Sequence, residues 1–360
     1  MLNIVKIPLS WIYSSIVAIR NKMFDMNILK SEEYDIPIVC VGNLSVGGTG
    51  KTPHTEMLVK MLKKRYNVAV LSRGYKRESS GYYEVRVDTP VKKVGDEPMQ
   101  IKLKFPDVIV AVCEDRRAGI NIIRKTFKDV NLIIMDDGFQ HRYVEPWLSI
   151  ILTEHSNLFY NDKMLPYGSL RENIKARYRA QVIIVTKVDN NVKPLDLRFI
   201  YQNLNLYPYQ QLYFTQMALQ RPELVFTDGV KRTIHSDTKV IAMAGIAKPD
   251  TFYGQLKDKY NIVDTLSYPD HYDYKRHDLK SIEQKLKKHG EDSVILMTEK
   301  DAVKFARSSK VPSWLHDRMY VVRIEVEFMD LNEYWNNDIY NFEKKIVPYV
   351  EKNHKHHPVH

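Results

Sequence analysis

The feature that most constrains this chain is a glycine-rich turn set between a short apolar run and an amphipathic helical pattern. Residues 38–41 read as a buried strand and lead into Gly42-Asn43-Leu44-Ser45-Val46-Gly47-Gly48-Thr49-Gly50-Lys51-Thr52-Pro53, after which helical spacing begins. Strand, glycine turn and helix in that order make a phosphate loop. Gly47, Gly48 and Gly50 let backbone N–H groups turn toward phosphate oxygens, Lys51 reaches the β and γ phosphates, and the Thr52 hydroxyl ligates Mg²⁺. The expected nucleotide-binding set is therefore Ser45, Val46, Gly47, Gly48, Thr49, Gly50, Lys51 and Thr52. Pro53 suits a first helical turn, where no N–H partner is lost. One position departs from the pattern: Ser45 stands where the first glycine is usual, so that corner must accept a Cβ.

Strand-like runs continue at residues 68–71, 108–112, 132–135, 148–152 and 182–185, alternating with helical patterns. That alternation predicts a parallel sheet wrapped by helices. A length of 360 residues favours two domains at about 150 residues each. After Pro208 the regularity lapses, and a second series begins at 240–244, 262–266 and 294–297. The expected fold is α/β: a P-loop NTPase-like parallel sheet over residues 1–210 and a smaller α/β domain over 221–318. Two β-like segments, 211–220 and 319–328, are expected to join them as a two-stranded linker, with a helix and tail over 329–360.

The chain carries 54 Lys and Arg against 44 Asp and Glu, a net charge of +10. Nucleotides, phosphorylated substrates and anionic lipid are favoured partners. Nucleic acid is not expected, because the basic residues are dispersed and no recognised module appears. With 44% hydrophobic and 27% charged residues the chain is globular, which excludes a disordered or fibrous class. Cys40 and Cys113 lie in apolar runs and read as buried thiols of a reducing compartment. Near the N-terminus Ile4, Val5, Leu9, Ile12, Tyr13, Ile16, Val17, Met23 and Phe24 recur at helical spacing around Trp11, flanked by Lys6, Arg20 and Lys22. The uncharged run 7–19 is shorter than the about 18 residues needed to span a bilayer. Two readings stand: a helix on the domain's own core, or one lying in a membrane interface.

Asp136 and Asp137 end the run 132–135, where a P-loop enzyme places its metal-holding carboxylates. Asp96 and Glu97, on a loop bounded by Gly95 and Pro98, offer a base for an acceptor hydroxyl. Thr186-Lys187-Val188-Asp189 looks like a guanine-reading loop, which supports an alternative reading as a P-loop GTPase or nucleotide-dependent switch protein.

These motifs, with Ser72-Arg73-Gly74-Tyr75, Asp115-Arg116, Gly138-Phe139-Gln140-His141, Leu165-Pro166-Tyr167-Gly168-Ser169-Leu170-Arg171-Glu172, Ala244-Gly245-Ile246-Ala247 and Thr298-Glu299-Lys300-Asp301, resemble the tetraacyldisaccharide 4′-kinase family in the same order along the chain. The resemblance implies transfer of the γ-phosphoryl of ATP, with Mg²⁺, to the 4′-hydroxyl of an acylated glucosamine disaccharide 1-phosphate. It places the enzyme peripherally at the cytoplasmic face of the bacterial inner membrane, and so favours the interfacial reading of the N-terminal helix. It also implies Asp96 as the base, His271 as its partner, and Glu97, Arg116, Gln140, His141, Arg171 and Glu172 as residues of the site. Lys76-Arg77 and Gln181 depart from the family's usual residues.

Overall fold

A computed structural model describes residues 2–189, 191–246, 249–270, 272–306, 311–331 and 337–351. The first part comprises α1 (Leu2–Asp25), β1 (Ile38–Asn43), α2 (Lys51–Leu62), β2 (Val68–Ser72), β3 (Tyr83–Val85), α3 (Val91–Val94), α4 (Asp96–Lys104) and β4 (Ile109–Val112). There follow α5 (Arg116–Thr126), β5 (Leu132–Asp136), β6 (Leu148–Glu154), β7 (Val182–Thr186), α6 (Pro194–Leu204) and β8 (Gln211–Leu219). The remainder is β9 (Glu223–Leu224), β10 (Lys239–Ala244), α7 (Pro249–Lys257), β11 (Asn261–Ser267), α8 (Arg276–His289), β12 (Val294–Thr298), α9 (Glu299–Ala306), β13 (Met319–Val322), β14 (Ile324–Phe328) and α10 (Ile339–Glu351).

The larger sheet has nine strands in the order β14-β8-β7-β6-β1-β5-β2-β4-β3. It is parallel from β4 to β8, and only the edge strands β3 and β14 run antiparallel. The strands are apolar on both faces because helices cover both. Ile38, Cys40, Ile133, Met135 and Ile183 pack on one side, and Val39, Val41, Val70, Ile134 and Ile184 on the other. Both thiols are buried and free. Chain order reverses at β1, which lies between β5 and β6. Ligands of open α/β sheets bind at the carboxyl ends of strands beside such a reversal.

The smaller sheet has five strands, β11-β10-β12-β13-β9. The expected single segment 319–328 is in fact two strands. β13 pairs parallel with β12 in the smaller sheet, whereas β14 pairs antiparallel with β8 on the larger one. β8 itself pairs parallel with β7, so the connecting pair forms the edge of the larger sheet rather than a free-standing linker. Helix α10 returns to the larger sheet and buries Phe342, Ile346 and Val350. It spans Ile339–Glu351, within the segment 329–360 expected to hold a helix and tail.

Helix α1 docks through polar contacts. Ser10 Oγ donates to the Met164 carbonyl at 2.8 Å, Tyr13 to that of Arg171 at 3.0 Å, and Arg20 to that of Gln140 at 3.2 Å. Phe24 is buried edge-on against Tyr143. The other side is apolar and bare: Leu9, Ile12, Ile16 and Ile19 are exposed, and Trp11 is 72% exposed. Among the described residues no helix is long and apolar enough to cross a membrane.

Candidate active site

The phosphate loop leaves β1 and re-enters regular structure at α2. Gly50, the residue before α2, has φ +87, and a Cβ there would lie 2.5 Å from Met217 Cε. The left-handed backbone favours glycine, whereas the Met217 methyl could move aside. Ser45 takes a different solution. It forms an isolated bridge with Leu170, while Val46 donates its N–H to the Ser169 carbonyl at 2.7 Å. The corner is thus extended, which explains why a residue with a Cβ is accepted. Val46 and Thr49, expected to offer N–H groups to phosphate, engage them within the protein instead, Thr49 with the Gly47 carbonyl at 3.1 Å. Two further contacts brace the loop. The Thr186 hydroxyl donates to the Thr49 carbonyl at 2.9 Å, and Lys187 donates to that of Gly48.

The Lys51 ammonium lies 3.5 Å from Asn43 Oδ1 and 3.7 Å from Asp137 Oδ1. Asp137 also accepts from Arg171 Nη1 at 3.2 Å. Asp136, at the end of β5, is buried and accepts from the hydroxyls of Thr55 at 3.1 Å and Ser72 at 3.3 Å. Burial, then the negative charges of Glu97 and Asp137, push its carboxyl up to about 6, although Lys51 pulls the other way. This is a cluster short of positive charge, which a cation would relieve. Among the described residues no group of three or more His, Cys, Asp or Glu side chains is arranged to hold a metal. A Mg²⁺ carried in on nucleotide phosphates needs only one or two carboxylates, and Asp136 and Asp137 at the end of β5 are of that kind.

Gln140 ties this cluster to the loop: its Nε2 donates to the Asn43 carbonyl at 2.8 Å, and its Oε1 accepts from Arg171 at 3.3 Å. His141 Nε2 accepts from the Arg116 N–H at 3.3 Å, and burial followed by the Arg116 charge lowers its pKa to about 4. It is a neutral ring at physiological pH. Arg116 is wholly internal, and its guanidinium donates to the backbone carbonyls of Cys113 at 2.7 Å and Asp136 at 3.3 Å. It stiffens the strand ends that carry the carboxylates.

Asp96 and Glu97 open α4. Gly95 before them has φ +93, and a Cβ would lie 3.1 Å from the Tyr75 carbonyl, so the 72–75 and 94–97 turns meet backbone to backbone. Asp96 Oδ2 lies 3.3 Å from Lys304 Nζ on α9, which places the candidate base at the seam between the two sheets. His271 lies outside the described residues.

The model of the tetraacyldisaccharide-1-P 4′-kinase family (LpxK) matches residues 2–340. This chain belongs to that family. A tetraacyldisaccharide 4′-kinase of Bacteroides thetaiotaomicron is 40% identical over 96% of this chain and 93% of its own. Another, from Parabacteroides distasonis, is 41% identical over 98% and 96%. LpxK from Aquifex aeolicus, whose crystal structure was solved in complex with ATP, superposes with a TM-score of 0.76 at 26% identity, covering 97% of this chain and all of that one.

Within this LpxK-family chain some motif residues serve the scaffold. Glu172 is buried and accepts from Arg179 at 2.6 Å and from Asn21 of α1 at 2.8 Å, so it anchors the N-terminal helix. Gln181 Oε1 accepts from the Ser149 N–H at 2.8 Å, a backbone tie that an acidic residue would also make. The Thr186–Asp189 turn loses its guanine-reading character. Lys187 is committed to the phosphate loop and Glu154, and Asp189 accepts from the Asn191 N–H at 2.8 Å. Asn43 bonds the Thr49 hydroxyl at 3.0 Å and sits beside Lys51, a role that no motif in the sequence assigns to it. Its position inside a strand, one residue after the loop's first glycine, was the available signal.

Proposed function

We propose that this chain transfers the γ-phosphoryl group of ATP to the 4′-hydroxyl of tetraacyldisaccharide 1-phosphate, the step that gives the lipid A precursor its second phosphate. The observation that carries this reading is Lys51 at the mouth of the phosphate loop, beside Asp136 and Asp137, in a chain matched by the LpxK family model over residues 2–340. The acceptor oxygen forms a bond to the γ phosphorus as the bond to the β–γ bridging oxygen breaks, and the hydroxyl proton passes to Asp96. Lys51 and the N–H groups at the start of α2 face the charge that gathers on the phosphoryl oxygens. Bound Mg²⁺ would add charge neutralisation there, held by Thr52, Asp136 and Asp137. Arg171 holds the Asp137 carboxylate and is itself held by Gln140, while Arg116 and His141 act behind it. Glu97 keeps the site electronegative, and His271 is assigned as the partner of Asp96.

The two sheets are proposed to act as separate lobes that meet along α4 and α9, with β8 and β14 as the connection. We assign the bare apolar side of α1 to the interface of an anionic membrane, with the net positive charge drawing the enzyme to it. The cytoplasmic face of the inner membrane is the compartment consistent with ATP as donor.

The test is direct. Purified protein, radiolabelled ATP, Mg²⁺ and the disaccharide 1-phosphate in detergent should yield a doubly phosphorylated glycolipid. Lys51→Ala and Asp96→Ala are each expected to lower turnover by roughly 10² or more. Nucleotide hydrolysis that prefers GTP and ignores the acceptor would overturn the reading in favour of a switch protein.

A further inference from the structure

We propose that Lys304 is a positioning residue for the acceptor side of the reaction: its ammonium, carried by α9 on the smaller sheet, keeps the Asp96 carboxylate ionised and in one orientation. This rests on the reading of Asp96 as the base.

The contact is not a loose surface pair. Lys304 Nζ lies 3.3 Å from Asp96 Oδ2, with the two side chains 13% and 10% exposed. Nζ also donates to the Tyr272 carbonyl at 2.9 Å and stands 5.9 Å over the Tyr274 ring. Tyr274 in turn donates to Asp301 Oδ1 at 2.7 Å. Asp301 is buried, and its other oxygen accepts from the Gly245 N–H at 2.9 Å and the Thr298 hydroxyl at 2.7 Å. A chain of bonds from the ends of β10 and β12 therefore fixes the ammonium before it meets Asp96. In so enclosed a setting the attraction is larger than between solvated charges.

A nearby cation favours the charged form of a carboxylate. Without it, Asp96 takes up a proton at higher pH, and a protonated carboxyl cannot take the proton of the acceptor hydroxyl. The other charges at this seam are Glu97 beside Asp96 on α4, the Lys92–Asp273 pair at 2.8 Å, and the Lys300–Asp270 pair at 2.6 Å one turn earlier on α9. Lys104, further along α4, is committed to Glu56 at 2.7 Å and Glu299 at 3.6 Å. His271 precedes Tyr272 in the chain and lies outside the described residues. Of the described cations, Lys304 is the one found against Asp96.

The experiment measures kcat/KM for the glycolipid acceptor against pH, at saturating ATP and Mg²⁺, for wild type, Lys304→Met, Lys304→Gln, Lys304→Arg, Lys300→Met and Asp96→Asn. Lys304→Met and Lys304→Gln are expected to move the acidic limb upward by about one pH unit, with roughly a tenfold loss below the limb and a smaller loss above it. Lys304→Arg should restore the wild-type profile to within about threefold, and Lys300→Met should leave the limb where it is. A thermal melt identifies any variant that fails to fold, and the Gln and Arg variants then decide. A loss equal at every pH, or an equal shift in Lys300→Met, overturns the inference. If Asp96→Asn is inactive while the Lys304 variants leave the limb unmoved, Lys304 alone is misassigned. If Asp96→Asn retains near-normal turnover, the base reading falls and the inference falls with it.

Discussion

Histidines beside the phosphate loop and the paired carboxylates make the site sensitive to acid in a calculable direction. His54 Nδ1 lies 2.7 Å from the Gly50 carbonyl and Nε2 3.0 Å from the Thr215 hydroxyl, and burial lowers its pKa to about 4. His141 is lowered likewise. Both rings are neutral in the fold and charge first in the unfolded chain. Their stabilising contribution is therefore present above about 6.5 and is lost as the pH falls from there to about 4. Urea unfolding at pH 7 and pH 5 should show this loss, and His54→Gln should remove part of it. At this scale the sequence spoke unevenly. Lys51, Asp136 and Asp137 were legible because loop chemistry demands those residue types at those places. Arg116 and Glu172 were legible only as members of motifs, since nothing in a sequence says whether a charged side chain points into the cleft or into the protein. Lys304 carried no distinguishing pattern.

The alternating apolar runs read directly as parallel strands, because a strand buried on both faces has no polar side to blur its limits. The short edge strands β3 and β9 escaped notice for the opposite reason, being brief and partly exposed. The run 319–328 looked like one strand because no glycine or proline interrupts it, although the chain changes sheets at Arg323. Helix α1 was legible as amphipathic, but only the fold shows that its inward contacts are mainly polar and its outward side apolar. Trp11→Glu with Ile16→Glu should abolish most sedimentation with anionic vesicles while shifting the melting temperature by no more than a few degrees, since both positions are exposed. Vesicle binding that survives this double change would remove α1 as the membrane contact. Glu172→Ala acts differently. It removes the carboxylate partner of the largely enclosed Arg179 guanidinium, which keeps only its bonds to the Ala176 and Phe139 carbonyls, and should cost about 3 kcal/mol in denaturant unfolding.

Across the whole molecule the two sheets are stitched by charge. Lys104 of α4 sits between Glu56 of α2 and Glu299 of α9, and Arg323 reaches Glu299 from between β13 and β14 at 3.4 Å. Burial raises the Glu56 carboxyl above its ordinary range, with the Glu299 charge adding to the effect. Such a group contributes less stability as the pH climbs past the ordinary carboxylate value, because the unfolded chain gives up its proton first. Lys104→Met should therefore destabilise by about 3–5 kcal/mol at pH 8 and by clearly less at pH 5, read by chemical denaturation at the two pH values. An equal loss at both would show that Lys104 contributes packing rather than charge. None of this network was visible in the sequence, which holds no record of which helices meet.

The seat of α1 has a geometric corollary. Its side chains grip the backbone of Met164, Gln140 and Arg171, the same segments that carry the carboxylate clamp. An α-helix with side chains is about 10–12 Å thick. With α1 at the lipid boundary, as proposed, the reaction centre would sit roughly one such thickness from the acyl tails. A glycolipid would then be modified while its tails stay immersed, and the helix would serve as a fixed spacer that selects head groups by how far they protrude.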